Sequence, residues 1–229
     1  MSLEQTTYDN SEEAYKALLK GAKRIGDSRL AFRKMLEEYV PLSGYTIPNS
    51  ARILNLGCGR CEEALVLSGY FGSKPFGFDS KSVKVVGIDI DPKKIEKSEQ
   101  LYESIDSNNK IIKFVKNSNY TFIEGDARKL RRLVNGEFDI IVARHPNIAE
   151  KEDMWRNVFV ESRKLIKSCG LFIGTSYSNI EHQMFEEQVQ KAGYKILLSK
   201  ENSHATPISR YLDMAIDKRI LLAKRNWPL

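Results

Sequence analysis

The stretch Ala51-Arg-Ile-Leu-Asn-Leu-Gly-Cys-Gly-Arg-Cys-Glu-Glu63 decides how the rest of the chain is read. A largely apolar run ends abruptly at Gly57-Cys58-Gly59 and then turns polar. A parallel strand buried on both faces is apolar almost throughout, and the loop leaving it needs glycine where the backbone bends sharply or a ligand comes close. The stretch therefore predicts strand, tight loop and helix, with a ligand at the helix N-terminus. The plainer alternative is a strand-to-helix turn that binds nothing.

Residue 62 separates the ligand classes. Dinucleotide loops space three glycines as G-x-G-x-x-G and set a pyrophosphate on the helix dipole. Here Glu62 stands at the third position, followed by Glu63. Two carboxylates facing a diphosphate across a short loop oppose its binding. A ligand without phosphate is preferred, and S-adenosylmethionine fits: it carries a sulfonium, an ammonium and a single carboxylate for loop amides to hold.

On these residues the chain resembles the class I S-adenosylmethionine-dependent methyltransferases, whose first motif is an apolar strand followed by Gly-x-Gly. Ile53-Leu-Asn-Leu-Gly-Cys-Gly59 matches it. It departs at Asn55, where the family usually has a carboxylate, and at Cys61, where a third glycine is usual. Asn55 can orient loop amides but cannot salt-bridge the ligand ammonium. The resemblance covers roughly residues 51 to 226 and implies that Asn55, Gly57, Cys58 and Gly59 form the cofactor loop.

The same resemblance places later residues. Val83 to Asp89 reads as a second buried strand, and its terminal Asp89 matches the acid that accepts the ribose hydroxyls. Asp91 before Pro92 reads as an N-cap with proline in the first turn, which leaves Asp89 as the better ribose ligand. Tyr120 to Ala127 matches the third motif: Asp126 would accept the adenine amino group, the Ala127 amide would donate to the ring, and Ile90 would line the adenine face. Asp126 can equally cap the helix that follows it.

Phe138 to Arg144 is a fourth strand with the exit His145-Pro-Asn147. Ligands of open α/β sheets lie beyond the carboxyl ends of the strands, which places Arg144, His145 and Asn147 near the transferred methyl group. Arg144 joins the cofactor set. His145 is the candidate general base, since its ordinary pKa lies near working pH, and the competing reading is that it shapes the loop before proline. Tyr177, ending a fifth strand over Gly170 to Ser178, is a further pocket candidate, with packing as its alternative. Final strands are expected over Tyr194 to Lys200 and Asp213 to Lys224. The fold expected is α/β: a Rossmann-like, mostly parallel seven-stranded sheet, helices on both faces and the last strand antiparallel. Apolar spacing from Ser11 to Tyr39 predicts two amphipathic helices broken near Gly26, so residues 1–50 read as a helical extension or cap and 51–229 as the cofactor-binding domain.

Composition bounds the partners. At 229 residues the chain can bury one sizeable core. The formal charge is +6, yet basic and acidic residues are interleaved, and Arg128-Lys-Leu-Arg-Arg132 is the one tight basic cluster. Nucleic acid is therefore weakly supported as a partner and a small-molecule acceptor is favoured. Cys58 and Cys61 have redox or zinc spacing, but the remaining Cys169 and three scattered histidines supply no second ligand pair, so no metal is expected. The cysteine count, the lack of a long apolar run and the polar N-terminus point to a cytoplasmic protein without a membrane span. The leading function is methyl transfer from S-adenosylmethionine. The alternatives are an RNA or protein methyltransferase, aminopropyl transfer from a decarboxylated cofactor, and a binding module without turnover, the last motivated by Asn55 and Cys61.

Overall fold

The computed structural model describes residues 26–72, 82–107, 118–208 and 214–226. The opening stretch runs as read: β1 (Ser50–Leu56), the glycine loop and α2 (Ala64–Gly72). It is followed by β2 (Ser82–Asp89), α3 (Pro92–Ser107), β3 (Ser118–Glu124), a 3-10 turn at Ala127–Lys129, α4 (Leu130–Leu133), β4 (Phe138–Arg144) and α5 (Glu152–Arg163). The chain then forms β5 (Ile166–Ser176), α6 (Asn179–Lys191), β6 (Tyr194–Glu201), a short pair β7 (Thr206–Pro207) and β8 (Ala215–Ile216), and β9 (Arg219–Arg225). Seven strands form one sheet in the order β3-β2-β1-β4-β5-β9-β6. Its interior pairs are parallel from β3 to β5, and β9 runs antiparallel to both β5 and β6. The expected sheet, including its antiparallel last strand, is the observed one.

Alternation along each strand builds two cores. Ile53, Val85, Ile140, Val142 and Ile173 face one layer, while Leu54, Val86, Ile141, Phe172 and Leu221 face the other. The second layer is closed by Phe159 of α5 and by Phe185 and Val189 of α6. The first is closed by α2, α3 and the helix over 26–39, here α1. Phe32, Met35, Leu36, Tyr39 and Val40 recur at helical spacing and are all buried.

Helix α1 has its apolar stripe sealed into the sheet's first core. It still reaches the carboxyl ends of two strands: Arg144 Nη2 at the end of β4 donates to Ser28 Oγ at 2.9 Å, and Tyr39 Oη donates to Glu201 O at the end of β6 at 3.1 Å. The helix expected over 11–25 lies outside the described residues.

Two strand limits also differ from the reading. β5 begins at Ile166 and not Gly170, because polar Lys167-Ser-Cys169 bulges between the Phe138–Ile166 and Ile140–Leu171 pairs, pinned by Lys167 Nζ to Asp139 Oδ1 at 2.7 Å. The expected strand from Asp213 is interrupted at Asp217, whose φ of 54° ends the extended run before β9.

At Gly174 in β5 a Cβ would lie 2.3 Å from Cζ of Phe185, so the ring is seated on bare backbone. Gly174→Ala is expected to lower unfolding free energy by about 1–3 kcal/mol, read as a lower urea midpoint at unchanged slope. His182 of α6 bridges Ser176 Oγ (2.9 Å) and Ser199 Oγ (3.0 Å), and burial pushes its imidazole down from 6.5 to about 4, with Arg219 adding to the fall and Glu186 opposing it. The unfolded chain therefore takes up this proton first. Stability is full above about pH 6.5 and is lost as the pH drops through about 4, by an amount on the order of 3 kcal/mol. His182→Gln should flatten that part of a pH–stability profile.

Candidate functional site

The carboxyl ends of β1, β2, β3, β4 and β5 bring the sequence candidates to one edge. Gly57 and Gly59 both take left-handed backbone, with φ of 60° and 57°, as the tight loop requires. A Cβ on Gly57 would also lie 3.0 Å from the Trp155 ring. Cys61 is left-handed as well, φ 49°, in the place where the resemblance expects a third glycine; the conformation is kept and the residue changed. Such backbone at a side-chain-bearing residue costs on the order of 1 kcal/mol. Cys58 and Cys61 are free and buried, and burial pushes the Cys61 thiol well up.

Asp89 is 7 % exposed and holds the loop from β2: its Oδ2 accepts from Gly59 N at 2.8 Å and its Oδ1 from Asp91 N at 2.9 Å. Cys58 N donates to Ile88 O at 3.0 Å. Two loop amides that the sequence reading left free for a carboxylate are thus engaged by the protein. Ile90, directly after buried Asp89, is 69 % exposed. Asp126 caps the 3-10 turn through Arg128 N and forms an ion pair with Arg128, Nη2 to Oδ2 at 2.7 Å, which holds its carboxyl below the ordinary range. Ala127 is half-buried beside it.

The β4 exit is organised by a residue that the sequence reading did not single out. Asp217 is 1 % exposed, and Arg144 donates to its carboxylate through Nε (2.9 Å) and Nη2 (2.7 Å). Arg144 also bonds Ser28, and its guanidinium lies 4.7 Å from the centre of the Phe32 ring. The guanidinium expected beside the ligand is therefore engaged inside the protein, by α1 on one side and by Asp217 on the other. Although burial alone would raise the Asp217 carboxyl, Arg144 and His145 drive it far below its ordinary range.

His145 sits at φ 53° with Nε2 at 2.9 Å from both Asp217 N and Asp217 Oδ1. A protonated Nε2 donates to the carboxylate and an unprotonated one accepts from the amide, so the ring is held in either state. Its face stacks on Tyr177 with 3.9 Å between centroids. Tyr177 N donates to Glu181 Oε2 at 2.8 Å, Ser178 Oγ accepts from Glu181 N, and Ala215 N donates to Tyr177 O. A near capping box thus sets the start of α6 beside His145. Asn147 is exposed and donates to Glu150 Oε2, away from this cluster.

Asp217 had a weak signal, a lone acid inside an expected strand just before Lys218-Arg219. Glu63 had a better one. It stands immediately before α2, four residues ahead of buried Leu67 at helical spacing, and it is itself 7 % exposed. Among the described residues no helix is long and apolar enough to cross a membrane and no cluster of metal-binding side chains occurs.

Residues 47–221 match the family model described as a methyltransferase domain. No curated protein sequence matches the chain. Among solved structures the fold is similar to an S-adenosylmethionine-dependent methyltransferase from Clostridium acetobutylicum, at 11% identity and TM-score 0.59, covering 96% of this chain and 100% of that one. It is similar to the magnesium protoporphyrin IX methyltransferase of Synechocystis with S-adenosylmethionine bound, at 16% identity and TM-score 0.57, covering 88% and 83%. An rRNA methylase from Streptococcus thermophilus matches at 10% identity and TM-score 0.53, covering 81% and 92%. At these identities the likeness is one of fold.

Removing one partner of the buried ion pair strands the other. Asp217→Asn should lose about 3–5 kcal/mol of unfolding free energy, and Arg144→Met in the same chain should recover part of it, both measured by denaturant titration.

Proposed function

This chain belongs to the methyltransferase-domain family, and from that premise we propose that it transfers a methyl group from S-adenosylmethionine to a small-molecule acceptor. The observation that carries the cofactor is the step from Asp89 to Ile90: a buried carboxylate gripping the glycine loop, then an isoleucine left 69 % exposed at the same strand end. An apolar side chain left exposed among the described residues, next to an acid with acceptor sites to spare, suits a nucleoside.

The residues divide by chemistry. A carboxylate offers about four acceptor sites, and Asp89 uses two of them on Gly59 and Asp91, which leaves others for the ribose hydroxyls. Ile90 packs on the adenine. Asp126 accepts the adenine amino group by displacing the exposed Arg128 side chain, an exchange that is cheap because such surface pairs are worth about 0–1 kcal/mol. The Ala127 amide donates to the ring, and Gly57, Cys58 and Gly59 give close backbone approach to the methionine part. When bound, the cofactor supplies an already electrophilic methyl group, so the protein's work is to align an acceptor and exclude water.

His145 serves as the base for an acceptor that arrives protonated, taking the proton at Nδ1. Nε2 is held by Asp217, and Nδ1 makes no hydrogen bond among the described residues. Arg144 acts behind the edge by fixing Asp217. The His145 side chain is only 11 % exposed, held by Asp217 and stacked on Tyr177, whose carbonyl accepts from Ala215 N of β8. A covered acceptor position suits a small molecule better than a polymer.

Thermal shift and calorimetry are expected to show binding of S-adenosylhomocysteine and none of NAD, and the reverse pattern overturns the cofactor. Incubating the protein and a fractionated cell extract with methyl-labelled S-adenosylmethionine should place label in the low-molecular-weight fraction. Label in RNA, with binding that falls steeply as salt rises, overturns the acceptor class.

A further inference from the structure

Asn55 and Glu63 form a buried polar pair in the apolar layer at the carboxyl end of β1. Asn55 is fully buried, and its Nδ2 donates to Glu63 Oε1 at 2.5 Å and lies 3.3 Å from Cys61 Sγ. Its Oδ1 is buried without a hydrogen-bond partner among the described residues. Glu63 is 7 % exposed, makes no ion pair among the described residues, and its Oε2 accepts no hydrogen bond among them. The nearby Arg144 is bonded to Asp217 and Ser28. The N-terminus of α2 offsets part of the carboxylate's charge.

The pair thus presents acceptors only: one carboxylate oxygen and one amide oxygen, with a net negative charge. A buried carboxylate and a buried carbonyl oxygen each carry a penalty unless donors reach them. The complement is a group with several N–H donors and a positive charge, which is a primary ammonium. A hard metal ion is a poor match, since calcium or magnesium takes about six oxygen ligands and the two side chains offer two free oxygens.

We propose that Glu63, oriented by Asn55, binds the α-ammonium of the methionine part of S-adenosylmethionine. This rests on the cofactor reading above. It also explains the departure at Asn55: the negative charge is still present and has moved from the end of β1 to the start of α2, with Asn55 kept as the amide that fixes it. Exchanging the two groups conserves both charge and hydrogen bond, because a glutamine at 63 can donate to an aspartate at 55.

The test compares two ligands by calorimetry: S-adenosylhomocysteine, which has the amino-acid part, and 5′-methylthioadenosine, which lacks it. Glu63→Gln is expected to weaken S-adenosylhomocysteine by about 10- to 100-fold, the range of a charge-assisted hydrogen bond, and to leave 5′-methylthioadenosine within a few-fold. The double variant Asn55→Asp with Glu63→Gln should restore most of the lost affinity. Equal effects of Glu63→Gln on both ligands, or no effect on either, overturn the role of Glu63 while the cofactor reading stands. Wild-type protein that binds neither ligand overturns that reading and this inference with it. Circular dichroism of each variant establishes that the compared proteins are folded, and if Glu63→Gln fails to fold, the double variant alone carries the comparison against wild type: selective loss of S-adenosylhomocysteine there overturns the exchange.

Discussion

The ion pair between Arg144 and Asp217 joins three parts of the chain that are far apart in sequence. Arg144 ends β4, Asp217 lies between β8 and β9, and the same guanidinium reaches Ser28 and the Phe32 ring of α1. Burying two charges is expensive, and an apolar pair of similar shape often does as well for stability alone. What this pair adds is direction. A bidentate guanidinium fixes the plane of the carboxylate, and that carboxylate with its own amide fixes the imidazole of His145.

Backbone strain gathers at the same edge. The non-glycine residues with left-handed backbone among those described are Cys61, His145 and Asp217. One lies in the glycine loop, and the other two face each other across the β4 exit. Each is held by contacts that over-determine it: Cys61 by Asn55 and the packing around Gly87, and His145 and Asp217 by each other. Strain of this kind persists where a fixed geometry has a use.

The sheet was legible because its strands are apolar runs separated by turn chemistry, and a buried parallel strand leaves little else to read. The glycine loop, Asp89 and Asp126 were legible because their place at strand ends follows from local pattern. The capping bond from Arg128 N to Asp126 was legible too, being two residues long, whereas the bond from Gly59 N to Asp89 was not, since it depends on how the ends of β1 and β2 meet. Asp217 was hidden because its partners are Arg144 and His145, far away in sequence, and no local spacing announces such a pairing. Which surface α1 covers was open in the sequence for a related reason. Its stripe at Phe32, Met35, Leu36 and Tyr39 shows that one face is buried but not which surface buries it.

Glu62 and Glu63 show how far a charge argument reaches. Read as sequence, both carboxylates stood against a diphosphate in equal measure. In the fold they part: Glu62 is half-exposed, while Glu63 turns inward to Asn55. The argument against phosphate strengthens, because a buried carboxylate is screened far less than an exposed one. The edge consequently has two halves of different electrostatic character. The half built by β1, β2 and β3 presents carboxylates and backbone around Ile90, whereas at the exit of β4 the charge of Asp217 is balanced by Arg144 and the surface offered is imidazole and phenol. Because β8 meets Tyr177 through Ala215 N, and Tyr177 stacks on His145, changes in the β7–β8 pair act first on the second half of the edge.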